Sequence, residues 1–395
     1  MSTALVSAHE LVARHMLARN RASSAFFPRE AERLAAICRL MARRFERGGR
    51  LLAIGAAHAA SDAQHIAVEF LHPVLVGKRA LPALDVSAGY RGTLPALVRD
   101  DDIVVGLARP EGDEDVDAAL RDAARHGALV LALPGTCGDY TIDALSADPF
   151  VHQELVEVLY HTLWETVHVF FEHQTLNESA GAAAFLYPFL GGTRDSLDAL
   201  VPEVATSIRA KATHVERLRD QVTTSQSSQI VNSVLAMRDA IERSATVLCA
   251  GNGGSATDAT DFAFDLCASP KGHQRVPAIS LASDPATLTA IANDIGSEAI
   301  FTRQLIACGR RGDVLVVFST SGGSANIIAA LAEARARGIL TIALLGYDGG
   351  EVLRHELADH VIVVNNDQIP RIQEVQASIY HVMLDLLDAV RQTRD

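Results

Sequence analysis

The chain has 395 residues, 49% of them hydrophobic and 21% charged, enough for two domains with ordinary cores. A formal net charge of -13 leaves no electrostatic footprint for nucleic acid, and no window approaches the roughly 18 apolar residues of a membrane span. Cys38, Cys137, Cys249, Cys267 and Cys308 are scattered and odd in number, which excludes a zinc ribbon or a disulfide scaffold; with no secretory leader pattern, the expected compartment is a reducing cytoplasm.

Residues 14 to 50 are rich in arginine, but acids interleave, so this stretch reads as an amphipathic helix with a solvated face. An apolar strand, a small-residue turn and a helix follow in "GGRLLAIGAAHAASDAQHIAVEFL", residues 48 to 71. The same pattern recurs in "SATVLCAGNGGSATDATDFAFDL", residues 244 to 266, including an Asp-Ala pair in each (Asp62-Ala63 and Asp258-Ala259). The register continues. "LPAL" at 81 matches "VPAI" at 276, and "DDIVVGLARPEGDEDVDAALRDAARHGALVLALPG" from 101 matches "GDVLVVFSTSGGSANIIAALAEARARGILTIALLG" from 312. Each half closes on a long helix, "HQELVEVLYHTLWETVHVFF" from 152 and "IQEVQASIYHVMLDLLDAV" from 372. The chain is therefore a tandem repeat. Short aliphatic strands alternating with helical-period segments predict, in each half, a doubly wound parallel sheet flanked by helices, an α/β class. The predicted division is a first domain over 1–175, a linker over 176–199 containing Pro188 and the Gly191-Gly192 pair, and a second domain over 200–395 entered through a long helix from about 200 to 243.

In the second half, the strand "TVLCA" runs into Gly251-Asn252-Gly253-Gly254-Ser255 ahead of a helix. After "DVLVVF" comes Ser319-Thr320-Ser321-Gly322-Gly323-Ser324, again opening a helix. Glycines let backbone N–H groups approach an anion, and a helix N-terminus adds partial positive charge. A neutral, hydroxyl-rich cradle at strand C-termini suits a phosphorylated sugar; no lysine-containing Walker sequence or dinucleotide fingerprint is present.

"GNGGSATDA", "AND" at 292, "STSGGSANI", "LLGYDGG" at 345 and "RIQEVQASIYH" at 371 resemble the sugar-isomerase (SIS) domain, in particular the bacterial phosphoheptose isomerases that act on sedoheptulose 7-phosphate. The resemblance covers residues 200 to 395 closely and residues 1 to about 175 through the repeat. It implies two tandem SIS domains. It further implies phosphosugar binding at Asn252, Gly253, Gly254, Ser255, Asn293, Asp294, Ser319, Thr320, Ser321 and Ser324, with Gln373 beside them. In such domains a zinc ion is held by a His and a Glu four apart on the first helix, and by a Gln and a His eight apart on the last.

The halves depart from that pattern in opposite ways. The second keeps Gln373 and His381 but carries Asp261 and Asp265 at the first-helix positions, an oxygen-rich set better suited to magnesium or manganese. The first keeps His65, Glu69, Gln153 and His161 in register, yet its loops read "GAAHAAS" and Ala108-Arg109-Pro110-Glu111-Gly112-Asp113, where added acids should repel a phosphate unless Arg109 binds it. His58, His72, His152 and His168 read as local hydrogen-bonding or surface residues, and Trp164 as packing.

One expectation is a division of labour, the first half supplying metal and acid–base residues and the second the phosphate cradle, in a composite pocket. The alternative is a complete second-half site beside a structural first half. The implied chemistry is aldose–ketose isomerisation through an enediolate, with Glu69 or Asp265 as base, His161 or His381 as acid–base partner, and a divalent metal, zinc by resemblance, polarising the carbonyl. Catalysis without a metal also stays open. The competing expectation is a phosphosugar-binding regulatory or scaffold protein without catalysis. Because the resemblance implies four SIS domains per assembly, a homodimer of the tandem chain is expected.

Overall fold

A computed structural model of the chain describes residues 3–74, 78–175 and 200–392; the expected linker, 176–199, lies outside the described residues. The chain divides into two units, one formed by Arg21–His214 and the other by Met1–Asn20 with Val215–Asp395. The long helices α1 (Thr3–Glu46) and α6 (Val201–Glu242) therefore each supply residues to both units.

The first unit runs through β1 (Leu51–Gly55), α2 (Ala59–Leu71), β2 (Ala83–Asp85), α3 (Tyr90–Leu97), β3 (Ile103–Leu107), α4 (Glu114–Arg125), β4 (Leu129–Leu133), β5 (Tyr140–Thr141) and α5 (Pro149–Thr175). The second runs through β6 (Val247–Ala250), α7 (Gly254–Ala268), β7 (Ala278–Ser280), α8 (Pro285–Asp294), α9 (Ile300–Cys308), β8 (Val314–Ser319), α10 (Ala325–Arg337), β9 (Leu340–Gly346), α11 (Gly350–Arg354), β10 (His360–Val364) and α12 (Ile369–Gln392). Both sheets are parallel and five-stranded, ordered β2-β1-β3-β4-β5 and β7-β6-β8-β9-β10, so the two halves share one topology as the repeat predicts. In both, the winding reverses between the first and third strands of the half, β1/β3 and β6/β8, which is where an open α/β sheet leaves a crevice at its carboxyl edge.

The central strands read as unbroken apolar runs because helices cover both of their faces; β1, β3 and β4 are buried along their full lengths. In the first unit Leu52, Ile54, Val104 and Val130 pack against Val116 and Leu120 of α4. In the second, Leu248, Leu315, Val317 and Leu345 pack against Ile327 and Leu331 of α10. Each half also repeats a buried carboxylate just ahead of its third strand. Asp102 accepts from the backbone N–H groups of Arg50 (2.9 Å) and Arg99 (3.0 Å), and Asp313 from those of Thr246 and Arg310 (both 2.8 Å). Both carboxylates tie the entries of neighbouring strands together.

Candidate phosphate cradle and metal-type cluster

In the second unit the β6 and β8 chain ends deliver both glycine-rich loops to the switch point. Gly253 takes φ 57° and ψ -127°, a conformation costly for residues with a Cβ, and α7 starts at the next residue. Ser255 is buried in the first turn of α7, while Asn252 and Gly253 are exposed at the loop tip. In the second loop, the hydroxyls of Ser319 and Ser321 accept from the backbone N–H groups of Gly322 (3.1 Å) and Gly323 (3.2 Å). They brace the turn, and each keeps its own O–H to donate. Ser324 occupies the N-cap position of the 13-residue α10 but makes no side-chain cap bond, so the helix end is not closed by its own side chain. A third loop supports this one from behind. Gly322, at φ 59°, lies against the Gly349 carbonyl, and its own carbonyl accepts from Val352 N–H at 3.0 Å. The two cradle loops are joined by a reciprocal amide pair, Asn252 Nδ2 to Asn326 Oδ1 at 3.0 Å and Asn326 Nδ2 to Asn252 Oδ1 at 2.8 Å. Asn293 and Asp294 sit exposed at the end of α8, where the Asn293 amide donates to Asp294 at 2.8 Å.

The first unit shows physically how its copy of the cradle closed. Asp113, at the position of Ser324, caps α4 by accepting from Asp115 N–H (2.9 Å) and Val116 N–H (3.0 Å). A built-in carboxylate thus holds the helix end that an incoming anion would use. In the other loop, Ala57 occupies the position of Gly253 and keeps its positive φ, 51°.

The same unit brings the metal-type residues together. His65 and Glu69 lie one turn apart on α2, and His161 projects from α5; all three are buried, and their ligand atoms lie within 4.8 Å of one another. His65 Nε2 is 3.9 Å from Glu69 Oε1, and the His65 and His161 ring centroids are 5.1 Å apart. Burial, and secondarily the neighbouring His161, holds His65 well below the ordinary imidazole value, so it is neutral. Tyr160 Oη lies 2.9 Å from His65 Nδ1. With Nδ1–H donated to that oxygen, Nε2 carries the lone pair that a metal would take. Two imidazoles and a carboxylate converging in a buried site fit a divalent metal ion. Gln153, expected beside them, donates to Asp62 Oδ2 at 3.2 Å, one turn ahead of His65 on α2. In the second unit Asp261, Asp265, Gln373 and His381 are likewise buried, with His381 Nε2 3.5 Å from Asp265 Oδ2. Among the described residues, however, Asp261, Asp265 and His381 do not converge as the first-unit trio does.

The histidines read as local residues behave so. His152 accepts from Leu145 N–H at Nδ1 (3.1 Å) and meets the Ala108 carbonyl at Nε2 (3.2 Å), and burial lowers it to about 4. His168 contacts the Trp164 and Arg79 carbonyls, both at 2.9 Å, and Trp164 is fully buried. His58 takes the N-cap position of α2 without a side-chain cap bond, and His72 is exposed at its C-terminus. Two residues escaped the sequence reading. Tyr160 had a signal, since a Tyr precedes the last-helix histidine in both halves (Tyr160-His161 and Tyr380-His381). Asn326 sat inside the quoted "STSGGSANI" without a distinguishing mark.

Comparison with known proteins agrees with this geometry. The family model described as the SIS domain matches residues 212–346. A phosphoheptose isomerase of Nitratiruptor sp. is 44% identical over 151 residues, which is 38% of this chain and 80% of that protein. A phosphoheptose isomerase of Geobacter sulfurreducens is 37% identical over 190 residues, 48% of this chain and 97% of that protein. Over nearly the whole chain the fold is like that of a tagatose-6-phosphate ketose/aldose isomerase from Escherichia coli, with TM-score 0.54 and 13% identity, covering 97% of this chain and 94% of that one. It is also like the C-terminal domain of a glucosamine-fructose-6-phosphate aminotransferase from Francisella tularensis, with TM-score 0.55 and 10% identity, covering 96% of each. With two matching sheets, the switch-point loops and relatives at this identity over most of their lengths, the chain belongs to the SIS-domain family, among the phosphoheptose isomerases.

Proposed function

We propose that the protein is a phosphosugar isomerase that interconverts an aldose phosphate and a ketose phosphate, with sedoheptulose 7-phosphate as the substrate to test first. The observation that carries this is the neutral, hydroxyl-lined cradle of the second unit, with α10 presenting an end that its own side chain does not cap. The loops of residues 251–255 and 319–324, helped by Asn293 and Asp294, hold the phosphate. Binding energy from that remote group then serves to orient the reacting carbons.

His65, Glu69 and His161 are the residues that would hold a divalent metal, with Gln153 as a fourth candidate; bound there, the ion supplies Lewis-acid polarisation of a carbonyl. In the first unit Glu69 is the candidate base for the carbon-bound proton and His161 the candidate acid–base partner at oxygen, roles that each can fill only while it is not ligating the ion. Asp265 and His381 are the corresponding pair in the second unit, and Asp261, Asp265, Gln373 and His381 form the alternative metal set. A cytoplasmic homodimer, near twice the 42.2 kDa chain mass, completes the proposal.

The alternative, a phosphosugar-binding module without catalysis, is favoured by Asp261 and Asp265 standing where the resemblance expects His and Glu. The test is metal content and sedoheptulose 7-phosphate turnover on untagged wild type, His65→Ala and Asp261→Ala. Loss of both with His65→Ala, and retention of both with Asp261→Ala, is the expected result. Wild type that binds the phosphosugar but turns nothing over with zinc, magnesium or manganese added would leave the binding module in its place.

A further inference from the structure

The cradle is assembled from two loops whose tips are not fixed by the sheet. The β6–β8 ladder ends at Ala250↔Val317; beyond that pair β8 stays laddered to β9 as far as Ser319, and the β6 chain runs on into its loop. Asn252 lies two residues past that end, and Asn326 lies in the first turn of α10, past the second loop. Their side chains close the gap with two hydrogen bonds of 3.0 and 2.8 Å. Each carboxamide carries two N–H groups and uses one in the pair, so a second N–H on each remains to donate. The first unit offers an internal comparison. At the positions of Asn252 and Asn326 it has Ala56 and Asp115, and Asp115 pairs with Arg91 instead. The amide pair accompanies the cradle in the copy that keeps it and is missing from the copy whose helix end is filled by Asp113.

We infer that Asn326 is a positioning residue for phosphate binding: through the Asn252 amide it locks the β6 loop to the β8 loop, so that the cradle is set before the ligand arrives. A preset cradle does not have to order its loops on binding, and that ordering cost otherwise reduces affinity. This inference rests on the phosphosugar reading above.

Its test is a double-mutant cycle on the full chain, with Asn252→Ala, Asn326→Ala and the double variant, and Asn326→Ser as a second probe of the same position. Calorimetry measures binding of inorganic phosphate and of sedoheptulose 7-phosphate, and thermal unfolding checks the fold of each variant. If Asn326 acts through Asn252, each single variant binds both ligands about 10-fold more weakly with unchanged unfolding, and the double variant is no weaker than Asn252→Ala. Where turnover is measurable, KM rises in Asn326→Ala while kcat holds, because a cradle set before the ligand arrives favours substrate and transition state equally. Wild-type binding with Asn326→Ala and Asn326→Ser equal to wild type, or single effects that multiply in the double variant, would overturn the positioning role alone. Failure of the wild type to bind either ligand would overturn the phosphosugar reading and this inference with it.

Discussion

At the scale of single residues, Tyr160 decides what His65 can do. Its hydroxyl lies 2.9 Å from Nδ1, and in the tautomer whose Nδ1–H donates to that oxygen, Nε2 is the atom left to ligate a metal. Tyr160→Phe keeps the ring and removes that bond; divalent-metal affinity should fall by about 10- to 100-fold, read by competition with a chromogenic chelator. Ala57 poses a different problem. It holds a left-handed backbone at φ 51° that its counterpart Gly253 adopts without a Cβ, so Ala57→Gly should raise the unfolding free energy by about 1 kcal/mol in a urea titration. His65 and Glu69 were legible as a pair because helical spacing reports which residues share a face, and His161 joined them through the repeat and the resemblance. Tyr160 and Asn326 were not, because spacing along one segment does not name the neighbour it meets across space.

At the scale of elements, the strand–loop–helix order of both halves could be read from hydrophobic runs and small-residue turns. The short edge strands β2, β5 and β7, of two or three residues, give no such run. The sequence also led us to treat Asp113 as an added acid repelling phosphate, whereas the structure gives it a job as the cap of α4. A carboxylate that repels a ligand and one that replaces it look alike in a sequence. The support of the β8 loop by the 346–350 loop was equally hidden, and it leads to a direct comparison. Gly322→Ala drives a Cβ into the Gly349 carbonyl, while Gly272→Ala, at φ 73°, meets open space. Both incur left-handed strain of about 1–2 kcal/mol. Only Gly322→Ala should also abolish phosphate binding in calorimetry, because only it displaces the cradle.

At the scale of the whole molecule, the duplication was visible in sequence and the membership of the long helices was not: the helical stretches read over 14–50 and about 200–243 show no break at residue 20 or 214. Within the second unit, Asp385 gathers the start of α1, the loop after α7 and α12. It pairs with His15 Nδ1 at 2.8 Å, Lys271 Nζ at 2.6 Å and His273 Nε2 at 3.4 Å. Burial alone would raise its carboxyl group; the His15 hydrogen bond and the Lys271 charge outweigh that and hold it at about 2. A folded value below the unfolded one, about 3.9, gives stability that is full above pH 4 and lost as pH falls toward 2. Asp385→Asn should therefore cost on the order of 2 kcal/mol at pH 7, with the gap to wild type closing between pH 4 and pH 2 in urea unfolding.

The cap of α4 also makes the history of the two copies hard to reverse. Restoring a serine at Asp113 would not simply reopen a site: a serine that took over the cap would keep the helix end filled, and one that made no cap bond, as Ser324 makes none, would cost about 1 kcal/mol before any ligand was present to repay it. A lineage would have to pass through a less stable intermediate with no activity to select for. The carboxylate therefore acts as a ratchet, and divergence between the halves becomes the stable outcome of the duplication.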